Sequence, residues 1–138
     1  MAACGAGSIA IVGGGPGGAH CARRLSEGGF DVTLFEPRRA FEKACGGGIP
    51  ARGLARFPFL RSALLPSKTV RRCRIIAPSG REASIPLHDP LHLVNRADLH
   101  TFLLDRAARA GARLVRARVL SFTRDRSGAE ARGARGGR

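Results

Sequence analysis

The stretch IAIVGGGPGGAHCARRLSEGGFDVTLFE, residues 9–36, restricts what this chain can fold into more than any other part of it. Consecutive apolar residues run into a glycine cluster, so Ser8 to Val12 reads as a short strand of the kind that a parallel sheet buries on both faces. Pro16 to Glu27 reads as a helix: Gly18, Ala19 and Ala22 are small enough to let it lie close to the sheet, and Gly28 and Gly29 stop it. Phe30 to Glu36, rich in Val, Thr, Leu and Phe, is the next strand. Parallel strands need a crossover between them, and strand, helix and strand within 29 residues make a compact βαβ unit.

Within that unit Gly13, Gly15 and Gly18 stand as G-x-G-x-x-G directly after the strand and at the mouth of the helix. Gly13 permits the tight turn, Gly15 lets a diphosphate approach the backbone, and Gly18 lets helix and strand pack closely. The first N–H groups of the helix lack partners and carry the positive end of its dipole, which favours an anion by on the order of 1 kcal/mol. Pro16 and Gly17 complete the turn, and Glu36 closes the second strand 18 residues after Gly18, where a carboxylate accepts hydrogen bonds from a ribose diol. A glycine triplet alone would mean no more than a turn. Triplet, helix, strand and terminal acid together point to a dinucleotide.

Which dinucleotide is less direct. A carboxylate at Glu36 would repel the 2′-phosphate of NADP, an effect that Arg38 and Arg39 would offset. An ordinary nicotinamide-binding domain would continue promptly into a second βαβ repeat. Here the chain enters a glycine loop and then a hairpin, which favours FAD.

From Pro37 to Pro66 prolines and glycines interrupt any periodicity, and a long functional loop with one or two short helices is expected. Val70 to Ala77 and Arg81 to Leu87 read as a hairpin turned by Pro78, Ser79 and Gly80. Asn95 caps a helix with an apolar stripe of Leu99, Phe102, Leu103, Ala107 and Ala110, ended by Gly111. Arg113 to Phe122 is a further strand. No large apolar residue occurs from Ser127 onward, so residues 124–138 read as a disordered basic tail behind one domain over residues 1–123.

Of the formal net charge of +14, residues 38–74 carry +9. Such a segment suits phosphates or a lipid headgroup, with Arg71, Arg72 and Arg74 as candidates. Nucleic acid is disfavoured, because the chain has no Trp or Tyr to stack on bases and no recognition motif. The longest apolar run falls far short of the roughly 20 residues a bilayer requires, and no basic segment precedes it as in a secretory signal. Cys4, Cys21, Cys45 and Cys73 form no close pair, which suits a reducing cytoplasm. Pro90 between His88 and His92 disfavours the helix that would place both on one metal, so no metal site is expected.

The segment EPRRAFEKACGGGIPARGLARF, and within it Cys45, Gly46, Gly47, Gly48, Ile49 and Pro50, resembles the geranylgeranyl reductase branch of the FAD-dependent oxidoreductases, flavoproteins of the para-hydroxybenzoate hydroxylase type. The later NRADLHTFLLDRAARAGARLV resembles the same group, and the likeness spans roughly residues 8 to 122. It implies an α/β fold: a Rossmann-like FAD-binding βαβ unit with a parallel sheet plus a β-hairpin insertion, incomplete relative to the full family fold and shaped like an N-terminal piece. The second flavin motif of the family, a Gly-Asp pair, is absent from the sequence. The resemblance further implies that Gly13, Gly15, Pro16, Gly17, Gly18, Glu36, Pro37 and Arg38 surround the adenosine diphosphate half of FAD. Cys45, Gly46 and Gly47 would then lie near the isoalloxazine ring, with Arg96 also against the cofactor. Cys45 is the one candidate for a catalytic role, against a plain packing role. The function so implied is flavin-dependent reduction of isoprenoid or lipid double bonds, with NAD(P)H as one candidate electron donor and a cytoplasmic or peripherally membrane-associated location. Oxygen-dependent hydroxylation on the same fold is the alternative chemistry.

Overall fold

The computed structural model describes residues 8–40, 47–62, 65–124 and 129–135. These fall into two compact units, one formed by the described residues of 1–41 and 100–138 and the other by those of 42–99.

The first unit is built on the expected βαβ. Strand β1 (Ser8–Val12), helix α1 (Pro16–Glu27) and strand β2 (Asp31–Phe35) follow one another, and β1 pairs with β2 in parallel from Ser8 opposite Asp31 to Val12 opposite Phe35. A third parallel strand, β6 (Arg113–Val115), lies on the other side of β2, giving the order β1-β2-β6. Ala19 and Ala22 of α1 are fully buried, as the small side chains require for close approach to the sheet. Val32 and Leu34, two residues apart and so on one face of β2, are buried with them. Helix α3 (Arg96–Arg109) adds Leu103, Leu104 and Ala107 to the buried set. The expectation that β1 would be covered on both faces is not met: its exposure alternates and Val12 is 61% exposed. β1 is an outer strand of a three-stranded sheet, and the described residues cover one of its faces.

The strand expected over Arg113 to Phe122 is interrupted at Arg116. β6 stays in the parallel sheet, while β7 (Ala117–Arg124) pairs antiparallel with β8 (Ala129–Arg135). The sequence reading of residues 124–138 as a disordered tail is therefore corrected over Ala129–Arg135. A two-stranded ribbon is built from backbone hydrogen bonds, which the scarcity of large apolar residues in AEARGAR does not prevent.

The second unit contains the hairpin. Strands β4 (Ser67–Ile76) and β5 (Glu82–Val94) pair antiparallel, and β3 (Gly48–Pro50) pairs with the other edge of β5. Gly80, with φ +79°, takes the left-handed conformation its turn needs, and its N–H donates to the Ala77 carbonyl at 2.9 Å. The hairpin is longer than its periodicity suggests. The ladder shifts register between Val70 and Arg72, opposite the stretch that holds His88, Asp89 and Pro90, and resumes at Leu91. The proline thus sits in a bulge, where a missing N–H costs little, and does not end the strand. Helix α2 (Ala51–Arg56) and a 3-10 turn (Pro58–Arg61) supply the short helices expected in this region. Asn95 caps α3 as expected, its Oδ1 accepting from the N–H groups of Ala97 at 2.8 Å and Asp98 at 3.0 Å.

Candidate functional site

The glycine turn between β1 and α1 is held at its root by the sheet. The N–H of Gly13 donates to the Phe35 carbonyl at 2.9 Å, and the N–H of Glu36 donates to the Val115 carbonyl at 3.0 Å, so the ends of β1, β2 and β6 are locked side by side. Gly13 has φ +97°, a conformation that disfavours side chains, with open space where a Cβ would stand. A Cβ on Gly18 would run into the Gly13 carbonyl oxygen, so the turn closes against α1 only with glycine there. Among the described residues nothing lies within 4 Å of the Cβ positions of Gly15 and Gly17.

Helix α1 opens with Pro16 at its start and Gly15 as cap, no side chain caps it, and its first turn carries no acid. Among the described residues no carboxylate or hydroxyl therefore caps its leading N–H groups, as most helices arrange. An anion can take that role.

Glu36 reaches back to the same turn. Its Oε2 accepts from the N–H of Gly14 at 2.6 Å and its Oε1 from the N–H of Arg38 at 3.0 Å. A carboxylate has about four acceptor positions, so a diol can still be bound while both amides are held. Gly14 was not singled out from the sequence, yet a Cβ there would stand 2.8 Å from Leu104 Cδ2 and 2.9 Å from Glu36 Cβ. The middle member of the glycine run thereby makes room for the acid.

His100 also escaped the sequence reading. It is 7% exposed, and its Nε2 lies 3.9 Å from Glu36 Oε2. Only its place beside the apolar stripe of α3, at the positions preceding Leu103 and Leu104, could have signalled it. Arg39, weighed as a partner for a 2′-phosphate, instead forms an ion pair with Asp105 at 2.8 Å.

The other expected site residues are less concentrated. Pro37 follows the acid, and its carbonyl is 3.5 Å from Arg116 Nε. Gly47 and Arg96 belong to the second unit. Gly47, with φ +59°, is required by the Val94 carbonyl, which a Cβ would strike, while its own carbonyl accepts from the Val94 N–H at 3.1 Å. Arg96 begins α3, and its Nε is buried without a hydrogen-bond partner among the described residues. Cys45 and Gly46 lie outside the described residues.

Residues 11–43, which hold the turn, helix α1 and the acid, match a family described as NAD(P)-binding Rossmann-like domain. A geranylgeranyl diphosphate reductase of Rhodobacter capsulatus is 35% identical over 116 residues, which is 83% of this chain and 29% of that protein. By sequence the chain is a relative of the geranylgeranyl reductases. It spans less than a third of the length of that relative. Among solved structures, a geranylgeranyl bacteriochlorophyll reductase-like protein of Thermoplasma acidophilum superposes with a TM-score of 0.73 at 23% identity, covering 93% of this chain and 35% of the other. The myxobacterial chondrochloren halogenase, a variant of FAD-dependent halogenases, superposes with a TM-score of 0.70 at 18% identity, covering 94% of this chain and 33% of the other. The fold is thus the Rossmann-like α/β fold shared with these proteins.

Proposed function

We propose that this chain supplies the FAD-binding part of a flavin-dependent oxidoreductase that reduces double bonds of an isoprenoid chain. The observation that carries the first half is the joint between turn and acid: Glu36 holds Gly14 beside a helix start that no side chain of the described residues caps. That arrangement receives a diphosphate and an adjoining ribose together. The kinship with geranylgeranyl diphosphate reductases supports the second half.

In this reading the first N–H groups of α1 bind the diphosphate and Gly15 admits it to the backbone. Glu36 orients the ribose through its remaining acceptor positions, and its carboxylate disfavours a 2′-phosphate there. Of the two arginines that would offset that preference, Arg38 and Arg39, the latter is drawn toward Asp105 in an exposed ion pair. Gly47 and Arg96 belong to the second unit, and a part for them in holding the cofactor rests on the family resemblance alone. Bound flavin supplies hydride transfer to the substrate, and a nicotinamide cofactor is the proposed donor.

The test is the absorbance spectrum of the protein mixed with FAD and then desalted. A retained flavin band with perturbed fine structure is expected, weakened about tenfold or more in affinity by Glu36→Gln through loss of a charge-assisted hydrogen bond and abolished by Gly18→Leu. Retention equal in the native chain and the Gly18→Leu variant would remove the turn from the site.

A further inference from the structure

A cavity of about 220 Å³ opens in the first unit between α1 and α3, lined by Arg23, Glu27, Arg106, Arg109 and Ala110. It lies toward the C-terminal ends of both helices, whereas the glycine turn stands at the start of α1. Helical spacing builds its walls. Arg23 and Glu27 stand one turn apart on α1, and Arg23 Nη1 donates to Glu27 Oε1 at 2.8 Å. Arg106 and Arg109, three residues apart, share a face of α3. The Arg106 guanidinium carbon rests 5.7 Å from the centre of the Phe102 ring, which limits where it can turn.

The charges around this space do not balance. Three guanidinium groups line it with one carboxylate, whereas Arg39–Asp105 at 2.8 Å and Arg113–Asp31 at 3.2 Å are pairs of one cation and one acid. Basic residues in a last helical turn offset the helix dipole, which accounts for the residue type. It does not account for two helices turning their arginines toward a common space, since cations that only offset a dipole can separate into water. Arg23 has little freedom to do so, with 19% of its side chain exposed. Its neighbours feel the crowding. Burial first, then Arg23, Arg24 and Arg106, hold His20 below the ordinary imidazole value of 6.5 against the opposing Glu27. Burial and then Arg23 likewise lower the Arg106 guanidinium, with Arg109 adding to this and Glu27 opposing it.

A cation entering the cavity would meet more of the same charge, and a neutral guest would leave the excess as it is. Three cations against one acid call for a doubly negative guest, and guanidinium forks fit the paired oxygens of a phosphate-like group or of carboxylates. We propose that this cavity binds a doubly charged oxyanion, held between Arg23 of α1 and Arg106 and Arg109 of α3. The bound ion ties the two helices together at the opposite end of α1 from the glycine turn, so the site is independent of the function proposed above.

The experiment is calorimetric titration of the full chain with sulfate and with malonate near neutral pH, against chloride at matched ionic strength, together with an NMR titration of the His20 ring. Sulfate stands for the phosphate-like group and malonate for a dicarboxylate, and whichever saturates more tightly names the source. The bound dianion should raise the His20 midpoint by about 0.5 pH, because it counters the arginines that hold it down. Arg106→Gln should weaken binding about tenfold and the exposed Arg109→Gln about threefold, while Glu27→Gln, which removes the competing charge, should tighten it about threefold, all with unchanged circular dichroism. Saturation by neither dianion beyond chloride, native affinity in Arg106→Gln, weakening by Glu27→Gln, or a His20 midpoint unmoved by the bound ion would overturn the proposal. An ion seated at the glycine turn would be indifferent to all three substitutions, and that result overturns it as well.

Discussion

In the parallel sheet of the first unit no two neighbouring strands are joined by a tight turn, so the structure depends on what packs over them: Ala19, Ala22, Val32, Leu34 and Ala107 are each 1% exposed or less. In the hairpin of the second unit, nine of the ten residues of β4 are exposed, and order comes from a ladder that runs from Ile76 opposite Glu82 back to Ser67 opposite Val94. The difference is one of connectivity. Antiparallel neighbours can bond directly after a short turn, while parallel ones are held only once a helix has crossed between them and been buried. Side-chain identity is consequently critical in the first unit and lenient along most of the second.

The sharpest way to break this contrast is at the glycines of the turn. Gly18→Ala should cost about 4 kcal/mol or more, because the new methyl group meets a backbone carbonyl with no flexible end to move aside. Gly17→Ala, one residue earlier with open space around it, should be neutral or stabilising by up to about 1 kcal/mol. Thermal unfolding of the two variants measures both, and equal losses would mean that the helix does not need its close approach. Next in size, Leu34→Ala should destabilise by about 2–5 kcal/mol, against within about 0.5 kcal/mol for Ile75→Ala on the exposed hairpin. A comparable loss at Ile75 would show that face to be covered in solution. Asn95→Ala should cost about 1 kcal/mol in urea unfolding through loss of two cap hydrogen bonds.

The smallest effect is one of pH. Burial, aided by Arg23, Arg24 and Arg106 and opposed by Glu27, holds His20 below the ordinary imidazole value of 6.5. The unfolded chain therefore takes up this proton before the folded one does. The His20 contribution to stability is complete above about pH 6.5 and declines as pH falls below it. Unfolding midpoints between pH 7 and 5 should fall more in the native protein than in His20→Gln, and parallel curves would exclude the effect.

The first unit was also the more legible one. Glycine positions, small helix residues and the acid at the end of β2 follow from backbone packing that admits few alternatives, and Ser8–Val12 and Pro16–Glu27 match their expected bounds. What escaped is what depends on partners distant in sequence. His100 and Asp105 acquire their meaning only when α3 comes near the residues that follow β2, Glu36 and Arg39, and Gly14 only when Glu36 turns back toward it. The bulge at Pro90 reads locally as a strand break, and the continuation of β5 is apparent only against the register of β4. β8 escaped for a related reason, since a ladder made from main-chain groups leaves little trace in side-chain composition.

The hydrogen bond that the Gly14 amide donates to the Glu36 carboxylate ties that acid to the turn, and the proposed function adds a second duty toward the ribose. This hydrogen bond keeps the acid aimed, so in the proposed role a ribose would meet a fixed acceptor and lose less freedom on docking. Replacement by an aliphatic residue would slacken the loop as well as remove the grip, whereas the amide isostere keeps one acceptor for the loop. The gap between those two variants is a direct measure of how much affinity comes from rigidity prepared in advance.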